Sequence, residues 1–221
     1  MSKLSQKANN LIVKFEVGGG EKYYNKKTRF PIWPGGYSGI TVGIGVDLGH
    51  ITFKEFDRYI SPYYMEGEAS RLIECIGHTG NPKDPESEIE MKSLLSTVAD
   101  CELSWENALA IHEDFTIPIY HKRTMKVFKG IENLPPDAQG AIVSLVFNRG
   151  TKLEGSSRVH MANIAKLVSQ YTPSNKQTVL EEIAKNFEEM VQIWEGQKIY
   201  EGIKRRRLEE AKLVRDSFYI T

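Results

Sequence analysis

The 221-residue chain lacks an excess of charge of either sign, because 29 lysines and arginines balance 29 aspartates and glutamates. This balance removes the global electrostatic argument for a nucleic-acid partner or an anionic membrane surface. The sequence also lacks an apolar run close to the roughly 18 residues that a membrane span needs. Its first residues, MSKLSQKANNLIVKFE, have no uninterrupted apolar core. We therefore predict no signal peptide and no membrane insertion, so other machinery must deliver the protein to any target outside the cytoplasm.

Cysteine is scarce as well, and this excludes a disulfide scaffold. Cys75 and Cys101 could pair, but two buried thiols in a reducing compartment are the favoured interpretation. The five histidines form no HExxH motif and stand at no metal-ligand spacing from the cysteines. The sequence has no GxSxG motif and no P-loop, and Gly18–Gly20 lack the preceding strand of a dinucleotide site. We therefore expect neither a metal nor a cofactor.

Apolar periodicity predicts a mostly helical α+β protein. Residues 3–16 place Leu4, Ala8, Leu11, Ile12 and Phe15 on one helical stripe, and Gly18–Gly20 should end that helix. Residues 21–47 are rich in glycine, proline and aromatics, which predicts a small β-ribbon lobe. The remaining chain, 52–217, predicts a larger helical lobe, with helices near 52–60, 66–76, 87–101, 104–128, 134–150, 157–171, 176–194 and 200–217. A cleft between the two lobes would suit a long polymer substrate.

Three local signals sharpen these helix predictions. Thr52-Phe53-Lys54-Glu55 has the spacing of a capping box, and Ser104 is a good N-cap. Pro118 should kink or split the helix over 104–128, since it lacks a backbone N–H. The run Lys204-Arg205-Arg206-Arg207 is interpreted as a solvated helix face with salt bridges to Glu209 and Glu210.

Two carboxylates could carry glycosidic chemistry. Glu16, between Phe15 and Val17, could be a general acid kept protonated by a partly buried, apolar setting. Asp47 follows the strand Ile40–Gly45 and could act as a base or an electrostatic stabiliser. The alternatives are a surface glutamate on a final helical turn and a capping or turn aspartate. Thr41 could orient a water beside a carboxylate, although most strand threonines are structural.

Aromatic side chains suggest a sugar-binding surface. Tyr24, Trp33 and Tyr37 could stack on sugar rings, or they could form the core of the small lobe.

At these residues the chain resembles the phage-type lysozymes, and among them the lysozyme-like toxin domain of the bacteriocin pesticin. The segment Thr41-Val42-Gly43-Ile44-Gly45 is similar to the family's T-x-G-x-G strand, and it follows a helix that ends in Glu16. Ala141–Gly150 is similar to the family's buried helix that ends in phenylalanine, a polar residue (here Asn148) and glycine. Trp194 with the Arg-rich segment Gly202–Ala211 resembles the family's closing elements. The order of these motifs along one chain is more specific than any one of them.

The resemblance implies a single lysozyme-like domain over residues 1–221 and a muramidase that cleaves the β-1,4 bond of peptidoglycan. It implies Glu16 as general acid, Asp47 as second carboxylate, Thr41 as the residue that helps to hold the attacking water, and Asn148 as a substrate contact. Phage lysozymes usually carry the aspartate before the threonine, whereas residues 22–40 contain no Asp or Glu, and Asp47 lies six residues after Thr41. In this placement the chain resembles the pesticin-like branch. The family also implies inversion through an activated water.

The expected setting is a monomer acting on the cell wall, as a phage endolysin or as an antibacterial toxin restrained by an immunity protein. Two other functions stay open. In a lytic transglycosylase or chitinase-like enzyme Glu16 is essential and Asp47 dispensable. A non-catalytic module on the lysozyme fold would bind glycan or a partner protein.

Overall fold

The computed structural model describes residues 4–219, with side chains described to residue 218. The protein is mostly helical and has one two-stranded sheet within the described residues. This confirms the mostly helical α+β class. The chain divides into two compact units, which we call the terminal unit (Met1–Phe15 with Pro118–Thr221) and the central unit (Glu16–Ile117). In the part of the chain described, no helix is both long and apolar enough to cross a membrane.

The helices follow the predicted spans closely after residue 52. Thr52 and Glu55 form the predicted capping box, and Ser104 accepts from the Asn107 N–H at 3.1 Å. The start predicted at residue 3 lies outside the described residues, and the first helix begins at Gln6. The eleven α-helices of the described residues are α1 Gln6–Glu16, α2 Gly20–Lys27, α3 Phe53–Tyr59, α4 Glu66–Leu72, α5 Pro85–Val98, α6 Trp105–Ile111, α7 Ile117–Val127, α8 Pro136–Arg149, α9 Val159–Ser169, α10 Lys176–Glu189 and α11 Glu201–Asp216.

Pro118 splits the helix over 104–128, as predicted. A π-helical turn, His112–Thr116, separates α6 from α7 directly before the proline. A proline has no N–H to donate to the carbonyl four residues earlier, and the wider π turn accommodates that missing bond.

The ribbon prediction for residues 21–47 is wrong over its first seven residues, because α2 occupies Gly20–Lys27. This helix begins directly after the glycine break, where Gly20 has a φ of +59°. It buries one side chain, Tyr24, whose hydroxyl donates to the carbonyl of Leu103 at 2.9 Å and whose ring packs against Trp105. A helix with one buried residue shows no apolar periodicity in its sequence. The glycines and aromatics of this segment were therefore interpreted as turns and short strands. The strands β1 Thr41–Val42 and β2 Val46–Asp47 form the only sheet in the described residues.

The prediction that the basic run of α11 faces solvent is wrong for Arg206 and Arg207. Both guanidiniums are buried, and both contact the fully buried carboxylate of Glu210. The Ser144 hydroxyl on α8 donates to the same carboxylate at 2.5 Å and accepts from Arg206 Nε at 3.1 Å. Arg206 also donates to the Ser144 carbonyl at 3.0 Å, so charge and backbone bonds tie α11 to α8. Burial raises the pKa of Glu210, whereas the two guanidiniums and Ser144 lower it.

Glu210→Gln should lower the free energy of unfolding by about 3–5 kcal/mol, because it leaves two buried guanidiniums facing an uncharged amide. Glu209→Gln is the matched control, since Glu209 is a partly exposed neighbour that pairs with Lys14. The control should change stability by about 0–1 kcal/mol. Urea unfolding followed by circular dichroism gives both values. Equal small effects of the two substitutions would contradict this account of α11.

His112 should make the protein less stable in mild acid. The side chain is buried in the π turn, and burial lowers its pKa from 6.5 to about 4. In the unfolded chain the His112 imidazole is protonated below about pH 6.5, whereas in the folded protein it is protonated only below about pH 4. Stability should fall by up to about 3 kcal/mol across this window. Urea unfolding at several pH values should show that the unfolding free energy of His112→Gln depends less on pH than that of the unaltered protein. A His112→Gln curve parallel to that of the unaltered protein would refute the assignment.

Candidate active site

Glu16 is the last residue of α1, at the position that the sequence predicts. Its side chain is exposed, so the expected partly buried, apolar setting is wrong. The reason is geometric: Phe15 points about 100° away from Glu16 around the helix, and Val17 lies beyond the helix end. Glu16 belongs to the central unit, which also contains the two strands.

The short hairpin pairs Thr41 directly with Asp47. Opposite residues of an antiparallel pair project from the same face of the sheet, so the Thr41 hydroxyl and the Asp47 carboxylate share one face. The three-residue loop closes because Gly43 and Gly45 adopt positive φ values of 58° and 74°. On its other edge, Thr41 exchanges two backbone hydrogen bonds with Ile32, at 2.8 and 3.0 Å. The TVGIG motif therefore builds the turn that brings these two functional groups together.

The Asp47 carboxylate accepts hydrogen bonds from two backbone N–H groups. Gly39 donates at 3.0 and 3.2 Å to its two oxygens, and Gly49 donates at 2.9 Å to Oδ1. The hydrogen bond from Gly49 caps a 3₁₀ turn, Leu48–His50. The side chain keeps 23% of its surface exposed, so it is also accessible to a ligand. Asp47 thus has the capping role of the alternative interpretation, whether or not it has a catalytic one.

Two glycines allow the backbone to close around Asp47. A Cβ on Gly39 would lie 2.6 Å from the Gly49 nitrogen and 2.7 Å from Asp47 Oδ1. A Cβ on Gly49 would lie 2.6 Å from the carbonyl oxygen of His78. These distances are shorter than real Cβ contacts, so both positions require glycine because of close backbone approach.

Thr41 is half-buried, and its hydroxyl donates to the carbonyl of Gly39 at 3.4 Å. This bond turns the hydroxyl toward the segment that also holds Asp47. A hydroxyl has two acceptor positions as well as its donor, so Thr41 can still accept a hydrogen bond from a water.

The aromatic residues divide into core and surface. Tyr24 is fully buried in the core, so we correct its expected role in substrate binding. Trp33 is half-buried, donates from its indole N–H to the Ser38 carbonyl at 2.9 Å, and packs against Gly80. Tyr37 is exposed and free to meet a ligand at its ring face.

Sequence reasoning missed three other polar or aromatic groups near this segment. Tyr23 and Phe30 are large aromatics with exposed rings, and they flank the same part of the chain. His50 was considered only as a metal ligand, but its Nε2 lies 3.8 Å from Asp47 Oδ2. The spacing of Asp47 and His50 in the sequence could have indicated this contact, since residues three apart in a helical turn are neighbours.

Asn148 lies near the end of α8 in the terminal unit, and its side chain is exposed. The other site candidates belong to the central unit. Among the described residues, no three His, Cys, Asp or Glu side chains form a group that could hold a metal ion. Cys75 and Cys101 are buried free thiols, and burial raises the pKa of Cys75 to about 12.

Comparison with known proteins gave no significant match to a family model, to a curated protein or to a solved structure.

Asp47→Ala should lower the free energy of unfolding by about 1–2 kcal/mol, because a cap is lost and two N–H groups lose their acceptor. Asp47→Asn should cost less, since its amide oxygen can still accept from Gly39 and Gly49. Asp57→Ala, on the exposed side of α3, is the control and should stay within about 0.5 kcal/mol of the unaltered protein. Thermal and urea unfolding measure all three. Stability unaffected by Asp47→Ala would show that these hydrogen bonds do not hold the hairpin.

Proposed function

We propose that this chain is a peptidoglycan hydrolase of the muramidase type, which cleaves the β-1,4 bond between N-acetylmuramic acid and N-acetylglucosamine. The observation that carries the proposal is the direct pairing of Thr41 with Asp47 on one face of the hairpin. The order of motifs from Glu16 to the Arg-rich α11 supports it. A lysozyme-like two-lobed fold, with the glycan in a cleft, is part of the same proposal.

In the proposed reaction, Glu16 donates its proton to the glycosidic oxygen as the bond to the anomeric carbon breaks. A water held between the Thr41 hydroxyl and the Asp47 carboxylate attacks that carbon from the opposite face and gives its proton to Asp47. The N–H groups of Gly39 and Gly49 fix the carboxylate before the substrate arrives. The product would have inverted configuration, and the reaction uses no metal and no cofactor.

The substrate would be held by ring faces and amide groups. Tyr37 is the best-exposed candidate for stacking on a sugar ring, and Trp33 offers a half-buried edge. Asn148 could bond an acetamido or hydroxyl group of the glycan. We further propose that the protein is made in the cytoplasm, acts as a monomer in the periplasm or on the cell wall after delivery, and is a phage endolysin or an antibacterial toxin with an immunity protein.

A lytic transglycosylase is the second candidate, and one observation favours it. The Asp47 carboxylate already accepts hydrogen bonds from two backbone N–H groups and caps a 3₁₀ turn. This structural role accounts for the residue without a catalytic one. In that enzyme Glu16 alone would act as acid and then as base. The substrate's own 6-hydroxyl would replace the water and close an anhydro ring.

Glu16→Gln should reduce cell-wall hydrolysis by about 10²–10⁴-fold, since the amide keeps the shape but has no transferable proton. Its stability should change by no more than about 1 kcal/mol, because interactions of an exposed carboxylate contribute little. Glu21→Gln, an exposed carboxylate on α2, is the matched control and should retain full activity. The assay is the clearing of purified cell walls. Activity of Glu16→Gln above about a tenth of the unaltered rate would rule out Glu16 as the general acid.

Asp47→Asn should cost nearly as much activity as Glu16→Gln, and Thr41→Val should also remove most of it. Both groups are proposed to hold one water, so the double variant should be little worse than Asp47→Asn alone. The same wall-clearing assay gives the three rates. Full activity of Asp47→Asn, with Glu16→Gln inactive, would replace the muramidase with the transglycosylase.

A further inference from the structure

A concave site lies in the terminal unit, between α7 and the C-terminal end of α8. It is a cavity of about 420 Å³. Its lining combines two cations with an aromatic and aliphatic wall: Tyr120, Arg123, Lys126, Val127, Val146, Phe147, Gly150 and Thr151. We call it the α7–α8 pocket. Asn148, the expected glycan contact, is not part of this lining.

The charge in the pocket is of one sign. Arg123 and Lys126 stand three residues apart on α7, so their side chains are neighbours on one helix face. Both are exposed, and the pocket lining contains no carboxylate. Within residues 4–219 the protein forms at least twelve ion pairs, and neither of these cations takes part in them. Two adjacent unpaired cations repel each other, and a bound anion would relieve that repulsion.

The aromatic wall gives the pocket a flat apolar side. The Tyr120 and Phe147 rings stack with centroids 4.0 Å apart and planes at 23°. The Arg123 guanidinium lies 5.1 Å from the centre of the Tyr120 ring. This stacking limits the rotamers of Arg123 without using its N–H donors, which leaves them available for a ligand. Val127 and Val146 extend the apolar side.

We propose that the α7–α8 pocket binds a small organic anion, in which a carboxylate or phosphate is attached to a flat, apolar group. Arg123 and Lys126 bind the anionic group through charge-assisted hydrogen bonds. The flat part of the ligand lies against the aromatic wall and Val127. Glu16, Thr41 and Asp47 are not among the lining residues, so this proposal does not rest on the proposed glycosidase activity.

The test is an NMR titration of the ¹⁵N-labelled full chain with phenyl phosphate, benzoate, phenol and inorganic phosphate. Phenyl phosphate or benzoate should shift the amides of Phe147, Gly150 and Thr151 saturably, below about 10 mM ligand. Phenol and inorganic phosphate should bind more weakly, since phenol lacks the anionic group and inorganic phosphate lacks the flat apolar group. Stronger binding by one of the two organic anions identifies the preferred anionic group.

Arg123→Gln and Lys126→Gln should each weaken binding about tenfold, the usual effect of losing one charged hydrogen-bond donor. Lys122→Gln is the matched control, because Lys122 is an exposed cation of α7 outside the pocket lining. It should leave the affinity unchanged. The proposal is overturned if no organic anion shifts these amides, if phenol binds as tightly as phenyl phosphate, or if all three variants bind alike.

Discussion

The buried carboxylate of Glu210 is the constraint on which the terminal unit depends. It has no exposed surface, so it must be neutralised by partners within the protein. Two guanidiniums of its own helix and the hydroxyl of Ser144 on α8 provide that neutralisation. Because guanidinium and carboxylate are costly to bury alone, α11 can pack in this way only while Glu210 stays paired, and the bonds of Ser144 tie this cluster to α8. Helix α8, which buries ten of its residues, is thus tied to α11 through its one serine.

A second carboxylate organises the central unit on a smaller scale. Asp47 joins the segment before β1 to the turn after β2 by accepting from Gly39 and Gly49. The same bonds that stabilise the hairpin also aim the carboxylate toward the face it shares with Thr41. Because these bonds both stabilise the hairpin and orient the carboxylate, Asp47 is in position before any substrate binds. Electrostatic preorganisation requires such prior positioning. It also means that stability and activity must be measured separately for every Asp47 variant.

Sequence periodicity predicted most of the helices, because each of them buries several residues at helical spacing. It failed at α2, where burial rests on Tyr24 alone, and it failed on Arg206 and Arg207. Charged side chains are expected at the surface, and only the three-dimensional position of Glu210 shows that two of them can be buried. A single strand was expected over Ile40–Gly45, but the residues from Gly43 to Gly45 form a turn, and this turn pairs Thr41 with Asp47. The exposure of Glu16 does not follow from its apolar neighbours, since adjacent helical residues face different directions.

We propose above all that the central unit carries glycosidase chemistry that uses a water. Its most direct test is incubation of the unaltered chain with purified peptidoglycan, followed by mass analysis of the soluble products. We expect fragments that end in a reducing N-acetylmuramic acid, because a water adds across the broken bond. Fragments that end in anhydro-muramic acid would contradict the water-mediated mechanism. The absence of any fragment would contradict the enzyme itself and leave a glycan- or protein-binding module.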